Sequence, residues 1–211
     1  MGKLTILLLY LAILIRCTKS GSEQTIQQAE RIVQNGDIIF QTSKSSQSRA
    51  IQLATNSKYS HMGIIYKDGE LVYVYEAVQP VKMTPLQAWI KRGESGHYVI
   101  KRLKNADEVL TSTVLNKMKQ VGEKYKGKSY DIYFEWSDDQ IYCSELVWKI
   151  YKQAANLEIG QLEQLLDFDL SHELVRAKMK ERYGNKIPMN ELVISPATMF
   201  NSELLITIEE Q

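Results

Sequence analysis

A single domain of helices and antiparallel strands is what this sequence predicts, and three stretches carry the prediction. His61 to Glu76 holds two β-rich runs, HMGIIY and LVYVYE, around Lys67-Asp68-Gly69-Glu70, and Asp-Gly is a preferred centre for a two-residue hairpin. In Ile141 to Tyr151, IYCSELVWKIY, the residues Cys143, Leu146, Val147, Ile150 and Tyr151 recur at i, i+3, i+4, i+7 and i+8, the stripe of a helix with one buried face. Ala106 to Tyr125 has the same periodicity, with Val109, Leu110, Val114, Leu115, Met118 and Val121 inward. A chain of 211 residues, 44% apolar and 24% charged, suits one domain with a sizeable core. With 26 basic and 25 acidic residues the net charge is +1, which gives no electrostatic ground for a nucleic-acid partner.

The remaining elements follow in chain order. Lys3 and the apolar run Leu4 to Ile15 match the charged and apolar regions of a secretory leader, so residues 1–20 are expected to be a signal peptide and residues 21–211 the domain. The stretch resembles a bacterial lipoprotein signal, in which Cys17 would be lipidated. Arg16 stands where such signals carry a small residue, and cleavage near Ser20 to Ser22 is the competing account. Export to the cell envelope or periplasm is the corresponding expectation. Gln24 to Gln34 is helical in spacing and stopped by Asn35-Gly36. Asp37 to Gln41 reads as a buried strand and Ser45 to Thr55 as a second helix. Pro80 ends the hairpin's second strand, and Thr84-Pro85 reads as the N-cap and first position of a short helix, Leu86 to Lys91. Tyr98 to Leu103 is another strand. The aromatic run Tyr130 to Trp136 is expected beside Cys143. Asn156 to Asn190 reads as an elaboration that shapes a cleft, with Ser171 capping a helix through Tyr183. Ser195-Pro196 starts a short turn and Leu204 to Ile208 forms the last strand.

Cys143 is the only cysteine after Cys17, and it falls in the first turn of its helix. A helix N-terminus carries unpaired N–H groups and partial positive charge, which favour a thiolate and can hold an oxyanion; Glu145 in the same turn works against the thiolate. A thiol on an apolar helix face is by itself more often packing than a nucleophile, so a base is required. If Asp68 and Gly69 are the two loop residues, every hairpin pair sums to 137 and His61 falls opposite Glu76. Opposed residues have Cβ atoms about 4.5–5.5 Å apart, near enough for a carboxylate to hold one imidazole nitrogen and leave the other for a thiol. His97 and His172 show no metal-ligand spacing.

These residues carry a resemblance. Over about Ile32 to Leu205 the chain resembles the YiiX/YaeF-like permuted papain-fold amidases, relatives of the NlpC-type cysteine peptidases, through NGDIIFQTSKSSQSRAIQLAT, YSHMGIIY, VYEAVQPVKMTPLQAWI and IYCSELVWKIY. The order His61, Glu76, Cys143 is that of the permuted branch. The resemblance implies an α+β fold, a small antiparallel sheet or partial barrel packed against helices. It makes Cys143 the nucleophile, His61 the general base and acid, and Glu76 the orienter of a cysteine amidase or peptidase that needs no metal or other cofactor. The Cys143 N–H would supply one oxyanion donor and Tyr59, Gln41 or Tyr142 a second. Expected substrates are a peptide, an aminoacyl compound or a lipid amide. Acyl transfer to an amine or alcohol is the first alternative, and a non-catalytic envelope binding module the second.

Overall fold

A computed structural model describes residues 21–211; the leader expected at residues 1–20, Cys17 included, lies outside the described residues. In order the chain forms α1 (Gly21–Ile32), β1 (Ile38–Gln41), α2 (Ser46–Thr55), β2 (His61–Asp68), β3 (Leu71–Glu76), β4 (Lys82–Pro85), α3 (Leu86–Arg92) and β5 (Val99–Leu103). There follow α4 (Ala106–Val109), α5 (Ser112–Glu123), α6 (Cys143–Ala155), β6 (Glu163–Gln164), α7 (Glu173–Tyr183), β7 (Leu192–Val193), α8 (Pro196–Phe200) and β8 (Leu205–Glu210). Six strands make one sheet in the order β4-β3-β2-β1-β5-β8, every neighbour antiparallel. β6 and β7 pair separately. The α+β architecture is therefore an antiparallel sheet between helices.

Both faces of the sheet are buried, which is why its central strands are apolar almost throughout. Ile39, Ile65, Val74 and Ile100 pack with Ile26 and Ala29 of α1 and Leu86, Trp89 and Ile90 of α3. Ile38, Met62, Ile64 and Tyr75 face the other way, toward Met118 and Val121 of α5 and Leu146, Val147 and Ile150 of α6. Full burial of each such side chain is worth about 1.5–3 kcal/mol. The Arg102 guanidinium grips both oxygens of the buried Asp37 at 2.7 Å and also donates to the Ile32 carbonyl, tying the end of α1 to β5.

Three elements differ from the sequence expectation. The hairpin pairs Asp68 with Leu71 and Ile64 with Tyr75, so pairs sum to 139 and the loop is Gly69-Glu70. Gly69 has φ +58° and Glu70 a negative φ, the pattern of a II′ turn with glycine first. Second, Lys82 to Pro85 is a strand on β3, so Thr84 does not cap α3 and Pro85 occupies the N-cap position. Third, the helix expected over Ala106 to Tyr125 is two, α4 and α5. The Thr111 side chain accepts from the Val114 N–H and starts α5, and a threonine that caps competes with an uninterrupted helix.

Candidate active site

α6 begins at Cys143, as its periodicity requires, and Leu146, Val147, Ile150, Tyr151 and Ala154 are all buried. Tyr142 at the N-cap has extended backbone, and Glu145 accepts from the Tyr142 N–H at 3.4 Å. Glu145 also faces Lys149 at 2.8 Å. Burial pushes its carboxyl up to about 8 against the pull of that ammonium, so it opposes a nearby thiolate less than an open carboxylate would.

His61 opens β2, and its Nε2–H donates to Glu76 Oε2 at 2.6 Å. The contact forms although the register differs from the expected one. A change in pair sum from 137 to 139 keeps both residues on the same face and makes them diagonal neighbours. Continuing that register sets Gly63 opposite Glu76. A Cβ on Gly63 would lie 2.5 Å from Val74 Cγ1, 2.7 Å from the Tyr75 carbonyl oxygen and 3.3 Å from Glu76 Cβ. The missing side chain is what allows the carboxylate to lean back to His61.

Glu76 has no exposed surface and gathers four donors. Besides His61 these are Trp89 Nε1 at 2.9 Å, the Thr84 hydroxyl at 2.6 Å on Oε1, and the Arg92 guanidinium. Burial alone would raise its pKa, but His61 and Arg92 outweigh it and hold the carboxyl down at about 2. The fixed anion and the thiol do the reverse for the imidazole. Desolvation lowers it, yet hydrogen bonding to Cys143 and Glu76 prevails and lifts His61 to about 9. For Cys143, burial acts upward and is overcome by His61 and by the backbone N–H groups of Met62 and Ser144, so the thiol lies below its ordinary value. With Nε2 engaged by Glu76, Nδ1 is the nitrogen left to face the sulfur.

The expected second oxyanion donors differ in placement. Tyr59 is buried against Phe200, ring centroids 4.1 Å apart, and lines neither cleft described below. Gln41 is the cross-strand partner of His61, but its buried amide presses against Gly93 and also lines neither cleft. Tyr142 lines one of the clefts, with its hydroxyl accepting from the Ile194 N–H at 3.1 Å. Tyr130 borders both clefts. Its hydroxyl accepts from Gln47 Nε2 at 3.2 Å, and burial together with the neighbouring Cys143 pushes its pKa upward. The sequence put the aromatic run beside Cys143 without singling Tyr130 out. Tyr130 itself is tied down from distant parts of the chain, the Gln79 side chain accepting from the Tyr130 N–H and a bridge pairing it with Ile141.

Two clefts meet at this cluster. One, a narrow groove of about 80 Å³, has Cys143 in its wall and runs between α2, Phe134, the Leu165–Leu170 segment and α7. The other, of about 420 Å³, has His61 in its wall with Ser43, Ser45, Ser48, Ser60, Ala77, Val78, Gln79, Arg92 and Ile132. Gln47, Ile51 and Tyr130 border both.

A thiol at a helix start facing a His/carboxylate pair on an antiparallel sheet, in the chain order His, Glu, Cys, defines a class. The chain belongs to the permuted papain-like amidase family YaeF/YiiX, family C92, whose model matches residues 32–208. Among its relatives, "Uncharacterized protein YiiX" of Escherichia coli K12 is 48% identical over 178 residues, 84% of this chain and 87% of that one. The crystal structure titled metalloprotein yiiX from Escherichia coli O157:H7, DUF1105, superposes with a TM-score of 0.80 at 49% identity, covering 84% of this chain and 97% of that one. The word metalloprotein belongs to that relative's title. Here Glu76 is fully engaged by its four donors, and among the described residues no group of three or more His, Cys, Asp or Glu side chains is gathered as a metal centre needs.

Proposed function

We propose that the protein is a cysteine hydrolase that cleaves an amide or ester bond through Cys143, His61 and Glu76. Membership of the amidase family supports cysteine hydrolase chemistry in general. The observation that carries the specific reading is the continuous chain from Glu76 through His61 to Cys143, with the thiol lowered and the imidazole raised. The Cys143 sulfur attacks the carbonyl carbon, and the oxyanion is held by the Cys143 N–H and the Tyr130 hydroxyl. The imidazolium protonates the leaving amine or alcohol as the carbonyl bond breaks. His61 then takes a proton from water, which attacks the thioester and releases the acid and the free thiol. Glu76 holds the ring and its charge throughout. Export through the leader belongs to the same proposal and would set this chemistry in the cell envelope.

The test is the rate of Cys143 alkylation against pH, beside His61→Ala and Glu76→Gln. The wild-type thiol is expected to react at full rate well below pH 8.5, the ordinary thiol range. Both substitutions should move the profile upward, and Glu76→Gln should lower kcat/KM by about 10²- to 10⁴-fold. A thiol that titrates near 8.5 whatever occupies positions 61 and 76 would remove the support for a triad.

A further inference from the structure

The groove beside Cys143 is apolar along most of its wall, yet the charged side chains that reach it are both cations, Lys178 and Arg182, one turn apart on α7. Among the described residues no aspartate or glutamate lines it. The two cations are placed differently. Lys178 is bound to Glu181 at 2.6 Å, so its charge is answered on its own helix. Arg182 is half-buried, and among the described residues it forms no ion pair and no hydrogen bond; its guanidinium carbon lies 4.9 Å from the centre of the Phe134 ring. The acidic groups of the neighbourhood are engaged elsewhere. Glu191 accepts from the Trp136 N–H at 2.8 Å, Glu135 is exposed, and the Asp131 carboxylate is turned on the backbone N–H groups of Tyr133, Phe134 and Glu135.

The ring beneath Arg182 is itself fixed. Phe134 has φ +53°, in the left-handed region that a bulky side chain rarely adopts, and Asp131 holds the turn, accepting from the Tyr133 N–H at 2.7 Å. The Phe134 ring packs edge-on against Tyr142, the residue before Cys143, with centroids 5.1 Å apart. The guanidinium is thus set in the groove by contacts that lead back to the thiol, with its planar fork of N–H donors lacking an acceptor. Apolar walls strengthen its pull on an anion by excluding water. A groove of about 80 Å³ suits a short chain with a flat carboxylate better than a bulky phosphate. We infer that the substrate carries a carboxylate on a short acyl part and that Arg182 holds it while Cys143 attacks the carbonyl. This inference rests on the hydrolase reading, in which the acyl part is the half that becomes bonded to sulfur and so lies in the groove that Cys143 lines.

Two measurements on the whole chain at low ionic strength test it. The first compares Cys143 alkylation by maleimidopropionate with that by N-ethylmaleimide, which needs no turnover. The second compares kcat/KM for a glutaryl thioester with that for its methyl ester, in which the carboxylate is masked. In each pair the ratio of charged to neutral reagent is expected to fall at least about tenfold in Arg182→Gln, as loss of a charged hydrogen bond requires. Arg182→Lys, which keeps the charge without the fork, should retain part of it. Lys180→Gln removes the same charge from an exposed position on α7 and should leave both ratios alone, while circular dichroism checks the fold of each variant. Ratios that ignore residue 182 in both pairs would overturn the carboxylate assignment and, with the thioesters still cleaved, leave the hydrolase standing. Where the pairs differ and both thioesters are cleaved, the thioester pair decides. A maleimide ratio that falls while wild type hydrolyses neither thioester would uphold the anion site and overturn the hydrolase reading. An equal fall in Lys180→Gln would reduce the effect to overall charge and overturn the site.

Discussion

At Glu76 one carboxylate with no exposed surface answers to four donors, and its fixed charge determines the behaviour of the two residues beyond it. His61, raised to about 9 from 6.5, contributes stability that is whole below pH 6.5 and is lost as pH rises through 9. Cys143, lowered, contributes stability that is whole above the ordinary thiol value and is lost as pH falls through its folded value. The urea midpoint is therefore expected to fall toward alkali as pH rises through about 9, where His61 loses its proton, and to fall toward acid as Cys143 takes one up. Cys143→Ala removes the thiolate, and its share of the acid decline should go with it. A wild-type profile matching that of Cys143→Ala from pH 5 to 7 would mean that no ion pair forms.

Gly63 is what turns a β-hairpin into a base and its orienter. Restoring a Cβ there brings it within 2.5 Å of Val74 and 2.7 Å of the Tyr75 carbonyl, so the strands must part where Glu76 hangs. Gly63→Ala is expected to cost about 1–3 kcal/mol in chemical denaturation, and to slow Cys143 alkylation at neutral pH as Glu76 is pushed off His61. Unchanged stability and unchanged alkylation would show that the strand spacing does not govern the pair. The same element shows how much could be read in the chain. Its two strands and the shared face of His61 and Glu76 follow from alternation and a glycine turn, and both survive a loop one residue later than expected because a shift of two in the pair sum preserves the face. β4 was not legible: Lys82-Met83-Thr84-Pro85 has neither alternation nor strong β-formers, and it is a strand because β3 offers it an edge. Tyr130 was equally hidden. Its role depends on Gln47 and Gln79 from distant parts of the chain, a meeting that no local pattern records.

Across the whole molecule, the walls of the apolar cleft differ in how firmly they are held. α6 buries ten of its thirteen residues, whereas α7 buries only Val175 and Met179 of eleven. With so little apolar contact to break, α7 should open locally at far lower free energy than the sheet and α6. Native-state hydrogen exchange is expected to find α7 amides exchanging at least about 100-fold faster than those of α6. Equal protection would make the cleft a rigid channel. From the region Asn156 to Asn190, which the sequence marks as an elaboration that shapes a cleft, Leu165, Phe168, Leu170 and α7 line one. The remaining wall comes from α2, more than a hundred residues earlier, which the sequence could not announce.

The order His61, Glu76, Cys143 also has a consequence in time. A ribosome delivers the base and its orienter first and the nucleophile last. Until α6 docks under β2, the thiol has neither an imidazole nor the Met62 N–H beside it, and so it keeps the sluggishness of an ordinary cysteine. Reactivity then arrives as the last step of assembly: a nascent or misassembled chain is chemically quiet, and the speed with which Cys143 takes up an electrophile at neutral pH becomes a clock for completed folding.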